Sequence, residues 1–451
     1  MKRLFAFCFI FSYFASLGLA EGLDKEKKSE EKGTQIVLGH KDKTFYFDAP
    51  WDHEEEEAES ATGLQSLINT SQAASWTNKI KVSGYAQMRY NDLYKTNPDM
   101  ECEQCDGTYG GMKGMSFRRI RIKFSGYIHE RVYFYIQPDF AGGDSNTANL
   151  KDAYFDLMFT KDRRFRLRLG QSKVPYGFEN MQSSQNRLSL DRNDAINSAL
   201  KNERDLMAVF YYTPAVVQKR FSKLKNQQLK GSGNYGMLAL GAFQGQTANN
   251  ADQNSNKHIV ARATYPFELK NGQLFEVGLQ GYSGKYVTTK VTEGVMAEVT
   301  GENGNKEMIS ANGVEWDDSR VAASFIWYAM PFGFQTEYNV GVGPEYDPAT
   351  NTIKEKTLHG GYAQMSYRVE AGKQLILPFA RYTQYKGGKK FETDARAYDM
   401  QELEFGFEWQ PNPAFELVAL YAFADRTYLD SENRNNHQKG QLIRLQAQIN
   451  F

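Results

Sequence analysis

The sequence predicts an all-β fold, a transmembrane antiparallel β-barrel of about 16 strands, with 18 as the other even count its length allows. Three observations carry this. Arg118-Arg119-Ile120-Arg121-Ile122-Lys123-Phe124 and Arg164-Phe165-Arg166-Leu167-Arg168-Leu169 alternate cations with apolar residues. A strand sends successive side chains to opposite faces, so each stretch is a ribbon with one oily side and one guanidinium-lined side. The same period of two returns in many later segments and holds to the last residue. Finally, the chain is only 41% hydrophobic, with mean hydropathy −0.61, yet 14% of it is aromatic. That suits strands whose apolar face meets lipid rather than a protein core.

The start of the chain reads as a signal peptide over residues 1–20. Lys2 and Arg3 precede an apolar run over 4–19, and the small residues Gly18 and Ala20 precede the expected cut. The run is short and terminal, and no later segment approaches the roughly 20 apolar residues of a spanning helix. Glu21 stands where a lipoprotein would carry its acylated Cys, and Cys8 lies inside the signal, so no lipid anchor is expected. Residues 21–78 are expected to form a periplasmic N-terminal extension, partly disordered, because 24–32 is mostly charged and 54–57 is an acidic run. The barrel is expected over 79–451.

The strands follow in order. Ile80, Val82, Gly84, Ala86, Met88 and Tyr90 share one face of the first, with Lys81, Ser83, Tyr85, Gln87 and Arg89 on the other. The second sets Ile120, Ile122 and Phe124 against Arg119, Arg121 and Lys123. The third sets Val132, Phe134, Ile136 and Phe140 against Tyr133, Tyr135, Gln137 and Asp139. The fourth sets Ala153, Phe155, Leu157 and Phe159 against Asp152, Tyr154 and Asp156, and the fifth carries Arg164, Arg166 and Arg168. Leu403, Phe405, Phe407 and Trp409 belong to a later one. The last, 441–451, points Ile443, Leu445, Ala447, Ile449 and Phe451 outward and Arg444, Gln446, Gln448 and Asn450 inward. Closure is required, since lipid offers no partner to an open sheet edge. Residues 91–115, 288–316 and 425–439 are expected as outer loops, and Asn271-Gly272 and Pro411-Asn412-Pro413 as periplasmic turns. Phe210, Tyr211, Tyr212, Trp327 and Tyr328 are expected in the aromatic girdles at the membrane interfaces.

A loop of about 30 residues follows Lys173-Val174-Pro175-Tyr176-Gly177 and ends near Asp205; connections this long are usually functional or disordered. Barrels of 16 to 18 strands leave an aqueous channel. Folded inward, this loop would narrow it and present Lys173, Arg187, Arg192 and Arg204.

Residues 84–89 and 117–140, Leu150-Lys151-Asp152-Ala153-Tyr154-Phe155-Asp156, Leu167-Arg168-Leu169-Gly170-Gln171-Ser172-Lys173-Val174-Pro175-Tyr176-Gly177 and Glu203-Arg204-Asp205 resemble the phosphate-selective porin O and P family. The resemblance covers 79–451 and is most specific over 117–205. It implies a 16-stranded barrel, usually trimeric, with loop three folded into the pore. It further implies uptake of anions along a ladder of arginines to a lysine-containing constriction. Residue by residue this falls on Arg119, Arg121, Lys123, Arg166, Arg168, Lys173 and Arg204; Arg444 joins the path from the inward face of the last strand. Arg166 and Arg168, next in sequence to the loop, are the expected heart of the path.

Physical chemistry supports part of this. Rings of Arg or Lys select anions, and the planar guanidinium fork suits phosphate. Against it, inward-facing Asp139, Asp152 and Asp156 lie between the two cationic ribbons and should consume some of their charge by cross-strand pairing. Glu337, Glu402, Glu404, Glu408 and Glu416 also face inward, opposed by Arg262, Arg320, Arg368 and Arg444. The expected function is therefore an outer-membrane porin for small anions, phosphate or polyphosphate among them, with a general or weakly selective porin as the alternative.

The expected surroundings are the outer membrane of a Gram-negative bacterium, its lipid and lipopolysaccharide, small anions, and two further copies in a homotrimer. Balanced charge, 54 basic against 54 acidic, gives no attraction to nucleic acid. No cofactor is expected. Cys102 and Cys105 leave two readings, a local disulfide or free thiols, and half of a zinc site; the second ligand pair is missing, so no metal is expected. An enzyme is not expected: six His are scattered, and no GxSxG elbow, phosphate loop or helical metal pair occurs. A surface-display or adhesin barrel is the rival from another class.

Overall fold

The computed structural model describes residues 80–100, 114–141, 148–300 and 305–451. The expected signal peptide, the 21–78 extension and the Cys102/Cys105 pair lie outside the described residues.

Among the described residues nineteen strands form one sheet. They are β1 (Ile80–Lys95), β2 (Met115–His129), β3 (Val132–Asp139), β4 (Asn149–Met158), β5 (Phe165–Lys173), β6 (Arg204–Tyr212), β7 (Leu238–Phe243), β8 (His258–Glu268), β9 (Leu274–Val287), β10 (Met296–Thr300), β11 (Lys306–Ser310), β12 (Glu315–Trp327), β13 (Phe332–Asp347), β14 (Thr352–Tyr367), β15 (Val369–Ala371), β16 (Gln374–Gly388), β17 (Ala397–Asn412), β18 (Phe415–Leu429) and β19 (His437–Asn450). Sixteen make the wall. β10 and β11 are a hairpin in the connection from β9 to β12, with β10 beside the start of β14, and β15 continues β14 against β16. Each wall strand is antiparallel to its neighbours, and β1 pairs with β19 from Tyr85↔Asn450 to Lys95↔Leu442, which closes the barrel. Closure satisfies every edge, which is the condition for a sheet in lipid. Among the described residues no helix is long and apolar enough to cross a membrane; the crossing is made by strands.

Burial is inverted relative to a soluble protein. On β19 Arg444 is 1% exposed and Gln448 2%, while Ile449 is 56% exposed and Phe451, just after the strand, 60%. The polar row is enclosed by the barrel and the apolar row faces outward. At the end of the chain the Phe451 amide donates to the Gly84 carbonyl at 3.0 Å, and the Gly84 amide donates back. A Cβ at Gly84 would stand 2.5 Å from both the Phe451 ring and the Arg121 carbonyl, so this seam admits only glycine.

Aromatic rings gather near the short-turn end: Phe165 stacks on Tyr212 at 4.7 Å, Phe267 on Phe275 at 4.8 Å, and Phe275 on Trp327 at 5.7 Å. Tyr211 and Tyr328 are not in this belt. Alternation turns both into the lumen, where they are buried. The 425–439 stretch is mostly strand rather than loop, with only 430–436 outside β18 and β19. Its polar outward residues pair across the ladder, Asp425 with Lys439 at 2.8 Å, as strands do once they leave the apolar slab. Arg164 likewise precedes β5 and pairs with Asp162 in the turn, so it leaves the expected lumen face.

The connection 213–237 between β6 and β7 departs from the rule that this side has short turns. It begins with a helix, Ala215–Asn226. Val217, Phe221 and Leu224 make its buried stripe, packed with Leu229, Met237, Tyr265, Leu274, Ile326, Tyr328 and Phe178. Burying Phe221 and Leu224 contributes roughly 2 kcal/mol each.

Candidate functional site

The connection 174–203 enters the lumen and crosses it. Gly177 opens the bend at φ +80°, where a Cβ would stand 2.3 Å from Ile196. The amides of Phe178 and Glu179 then donate to the Glu337 carboxylate at 2.5 and 2.8 Å. Glu179 in turn accepts two hydrogen bonds from Arg381, at 2.5 and 3.0 Å, and the Asn193 amide at 2.6 Å. Arg320 donates to Ser198 Oγ at 2.6 Å, and Lys389 pairs with Asp194 at 2.5 Å. These contacts pin the loop to the β12–β17 wall.

The opposite wall holds it as well. Tyr85 and Ser184 share a hydrogen bond of 2.6 Å, and Lys123 donates to Gln185 at 2.8 Å. Asp191 takes Arg89 at 3.0 Å and Arg444 at 2.6 Å. Burial alone would raise the Asp191 pKa, but Arg89 and Arg444 hold it well below the usual carboxylate range. Lys173, at the end of β5, donates to the carbonyls of Met181 and Gln182 at 2.9 and 2.8 Å. It fastens the loop rather than lying bare in it.

Several expected path residues are spent on carboxylates. Arg121 pairs with Asp139 at 2.7 Å, Arg168 with Asp156 at 2.8 Å, and Arg204 with Asp152 at 2.9 Å; Arg192 pairs with Glu203. The three Asp expected to compete for cations do so. Arg166 donates to the Asn234 carbonyl at 2.7 Å and lies 4.5 Å over the Tyr211 ring, in the sector of the 213–237 insertion. Of the expected opposition to the inward Glu, Arg262 takes Glu276 at 3.2 Å, Arg368 takes the exposed Glu370 at 2.7 Å, and Arg444 takes Asp191.

Arg119 and Arg187 differ. Both are buried, and among the described residues neither has a carboxylate partner. Arg119 donates to Gln87 Oε1 at 2.7 Å, and Arg187 to the Leu190 carbonyl at 3.2 Å. Nε of Arg119, and Nε and Nη1 of Arg187, have no hydrogen-bond partner. The guanidiniums of Arg89, Arg118, Arg121 and Arg187 all act electrostatically on Arg119. Burial, then Arg192, pulls the Arg187 pKa down from its ordinary value, yet a guanidinium keeps its charge near neutral pH. Two buried cations with open donors beside a constricting loop are a chemical demand for an anion.

Below the loop lies a cavity of about 190 Å3. Arg121, Lys123, Lys173, Arg204, Lys225 and Lys230 line it, against the carboxylates of Asp152 and Glu416. Lys225 and Lys230 come from the 213–237 insertion, which periodicity of two does not reveal. The helical spacing of Val217, Phe221 and Leu224 was the available signal. Arg89, Arg381 and Asp191 are the other residues that build the site without having been singled out for it; Arg320 was expected only as an inward cation opposing the Glu residues. Among the described residues no group of three His, Cys, Asp or Glu could hold a metal ion.

A family model described as phosphate-selective porin O and P matches residues 94–451. The chain belongs to the phosphate-selective porin O and P family. This porin is an outer-membrane β-barrel channel of a Gram-negative bacterium. No curated protein matches it. Among solved structures, the porin's fold is similar to the outer membrane channel DcaP of Acinetobacter baumannii. That match has a TM-score of 0.50 and 13% identity, and covers 82% of this chain and 97% of that one. An anion-selective porin from Comamonas acidovorans matches with TM-score 0.47 and 10% identity over 82% of this chain and 99% of that one. The trimer form of OmpT of Vibrio cholerae matches with TM-score 0.47 and 12% identity over 83% of this chain and 100% of that one.

Proposed function

We propose that this porin passes small anions by diffusion, phosphate or polyphosphate among them, through the lumen narrowed by the 174–203 loop. The observation that carries the reading is the pair Arg119 on β2 and Arg187 on the loop, both buried, with open guanidinium donors and no carboxylate partner among the described residues. Arg suits the task because its planar fork donates to two oxygens at once. Arg121, Arg168, Arg192, Arg204 and Arg444 then act chiefly as framework, their charges balanced by carboxylates, while Lys123, Arg166 and Lys173, which donate to neutral oxygens, help keep the lumen wall positive. Conduction needs binding that is weak and repeated, and partly balanced cations in series supply it. The family resemblance supports a homotrimer set in lipid and lipopolysaccharide.

Reversal potential in a potassium chloride gradient tests the ion preference, and addition of inorganic phosphate tests the ligand. Anion selectivity with a chloride current that phosphate reduces supports the proposal; cation selectivity refutes it. The number of lumen cations already paired favours a second reading, a weakly selective porin, which predicts a reversal potential near zero and no block by phosphate.

A further inference from the structure

We infer that the 213–237 insertion is a second constriction of this porin, a bar across the lumen below the 174–203 loop, and that Lys230 at its tip determines which solutes leave. The insertion departs from the β6–β7 side of the wall. The Lys230 ammonium nevertheless pairs with Glu408 on β17 at 2.6 Å and lies 3.8 Å from Glu416 on β18. β17 and β18 stand half of the sixteen-strand wall away from β6 and β7, so the segment spans the full width of the pore.

The bar is held from above too: Gln182 of the constricting loop donates to the Lys230 carbonyl at 2.6 Å, and Phe178 of that loop packs with Phe221, Leu224 and Leu229. Space is divided accordingly. The cavity of about 190 Å3 lies on its β2–β6 side, and one of about 40 Å3 lies toward β12–β16, with residues 228–230 lining both. Gln228 at φ 54° and Lys230 at φ 58° occupy the left-handed region that non-glycine residues avoid. Such strain persists only where the surroundings over-determine it, and it gathers at functional elements. A turn that merely joined two neighbouring strands would need none of this.

The charge balance gives the bar a role in selection. One ammonium faces two carboxylates. Removing Lys230 leaves the exit acidic, and neutralising the carboxylates leaves it basic, so the two changes push selectivity in opposite directions. This consequence does not depend on which ion the wild-type prefers. The size of the current reads the bar, whereas the sign of the wild-type reversal potential reads the anion proposal, so failure of one is distinguishable from failure of the other.

The test uses the full chain in planar bilayers. In a Cys102→Ser, Cys105→Ser background, Lys230→Cys is treated with a bulky thiosulfonate reagent while the channel is open. The expected result is a stepwise fall in conductance by about half, with none in the background; unchanged current in open, reagent-treated Lys230→Cys channels overturns the inference. Should Lys230→Cys not assemble, Lys230→Gln and Glu408→Gln/Glu416→Gln are compared by reversal potential. Shifts toward cations and toward anions respectively are expected, and identical potentials in both overturn it.

Discussion

Arg168 donates from Nε and Nη2 to the two carboxylate oxygens of Asp156, at 2.8 and 3.0 Å, with its guanidinium 3.6 Å over the Tyr154 ring. The two residues face each other directly on β4 and β5. Both are fully enclosed, so this cation is committed to the wall.

Arg168→Ser should therefore cost stability more than selectivity. Removing one partner of a buried pair leaves an uncompensated charge, at about 3 kcal/mol or more. Loss of the folded, heat-modifiable band at lower temperature on electrophoresis measures this, and Arg168→Ser/Asp156→Ser should recover part of it. A large change in reversal potential with unaltered stability would show that Arg168 works in the ion path.

Glu179 holds the constricting loop through Arg381 on one side and the Asn193 amide on the other. Glu179→Ala should leave Arg381 with only Glu404, 3.9 Å away, as a carboxylate neighbour among the described residues and free the first turn of the loop from one of its two anchors. Larger, noisier single-channel steps are expected; steps identical in size and noise to wild-type would mean that the Glu337 contacts alone suffice.

Gly84→Ala should impair closure, because the added Cβ meets a backbone carbonyl that cannot move without shifting β2. Yield of folded barrel after refolding into detergent measures it. Adding Phe451→Ala removes the clash with the ring but not that with the Arg121 carbonyl, so only partial rescue is expected.

The wall was legible in the sequence because lipid outside and water inside impose a period of two along every strand. The same alternation placed Arg121, Asp139, Arg168 and Asp156 on the lumen face, and the register of the strands then sets Arg121 opposite Asp139 and Arg168 opposite Asp156. The interior of the pore was less legible. The contacts of 174–203 with Glu337, Arg381 and Asp191 join residues from distant strands, and alternation gives a face but no partner across the lumen. Arg166 and Arg168 looked best placed from their closeness in sequence to the loop. In space Arg168 is committed to Asp156, which sits opposite it, whereas no carboxylate sits opposite Arg119 on β1, where Gln87 is its partner. The 213–237 insertion was missed because its signal is helical, inside a chain otherwise read for strands.

The central claim is that Arg119 and Arg187 set the preference for anions, and the reversal potential of Arg119→Gln/Arg187→Gln in a potassium chloride gradient tests it most directly. Wild-type is predicted to reverse on the chloride side of zero, and the double variant to move toward the potassium side with channel formation intact. An unchanged reversal potential in the double variant would contradict the account.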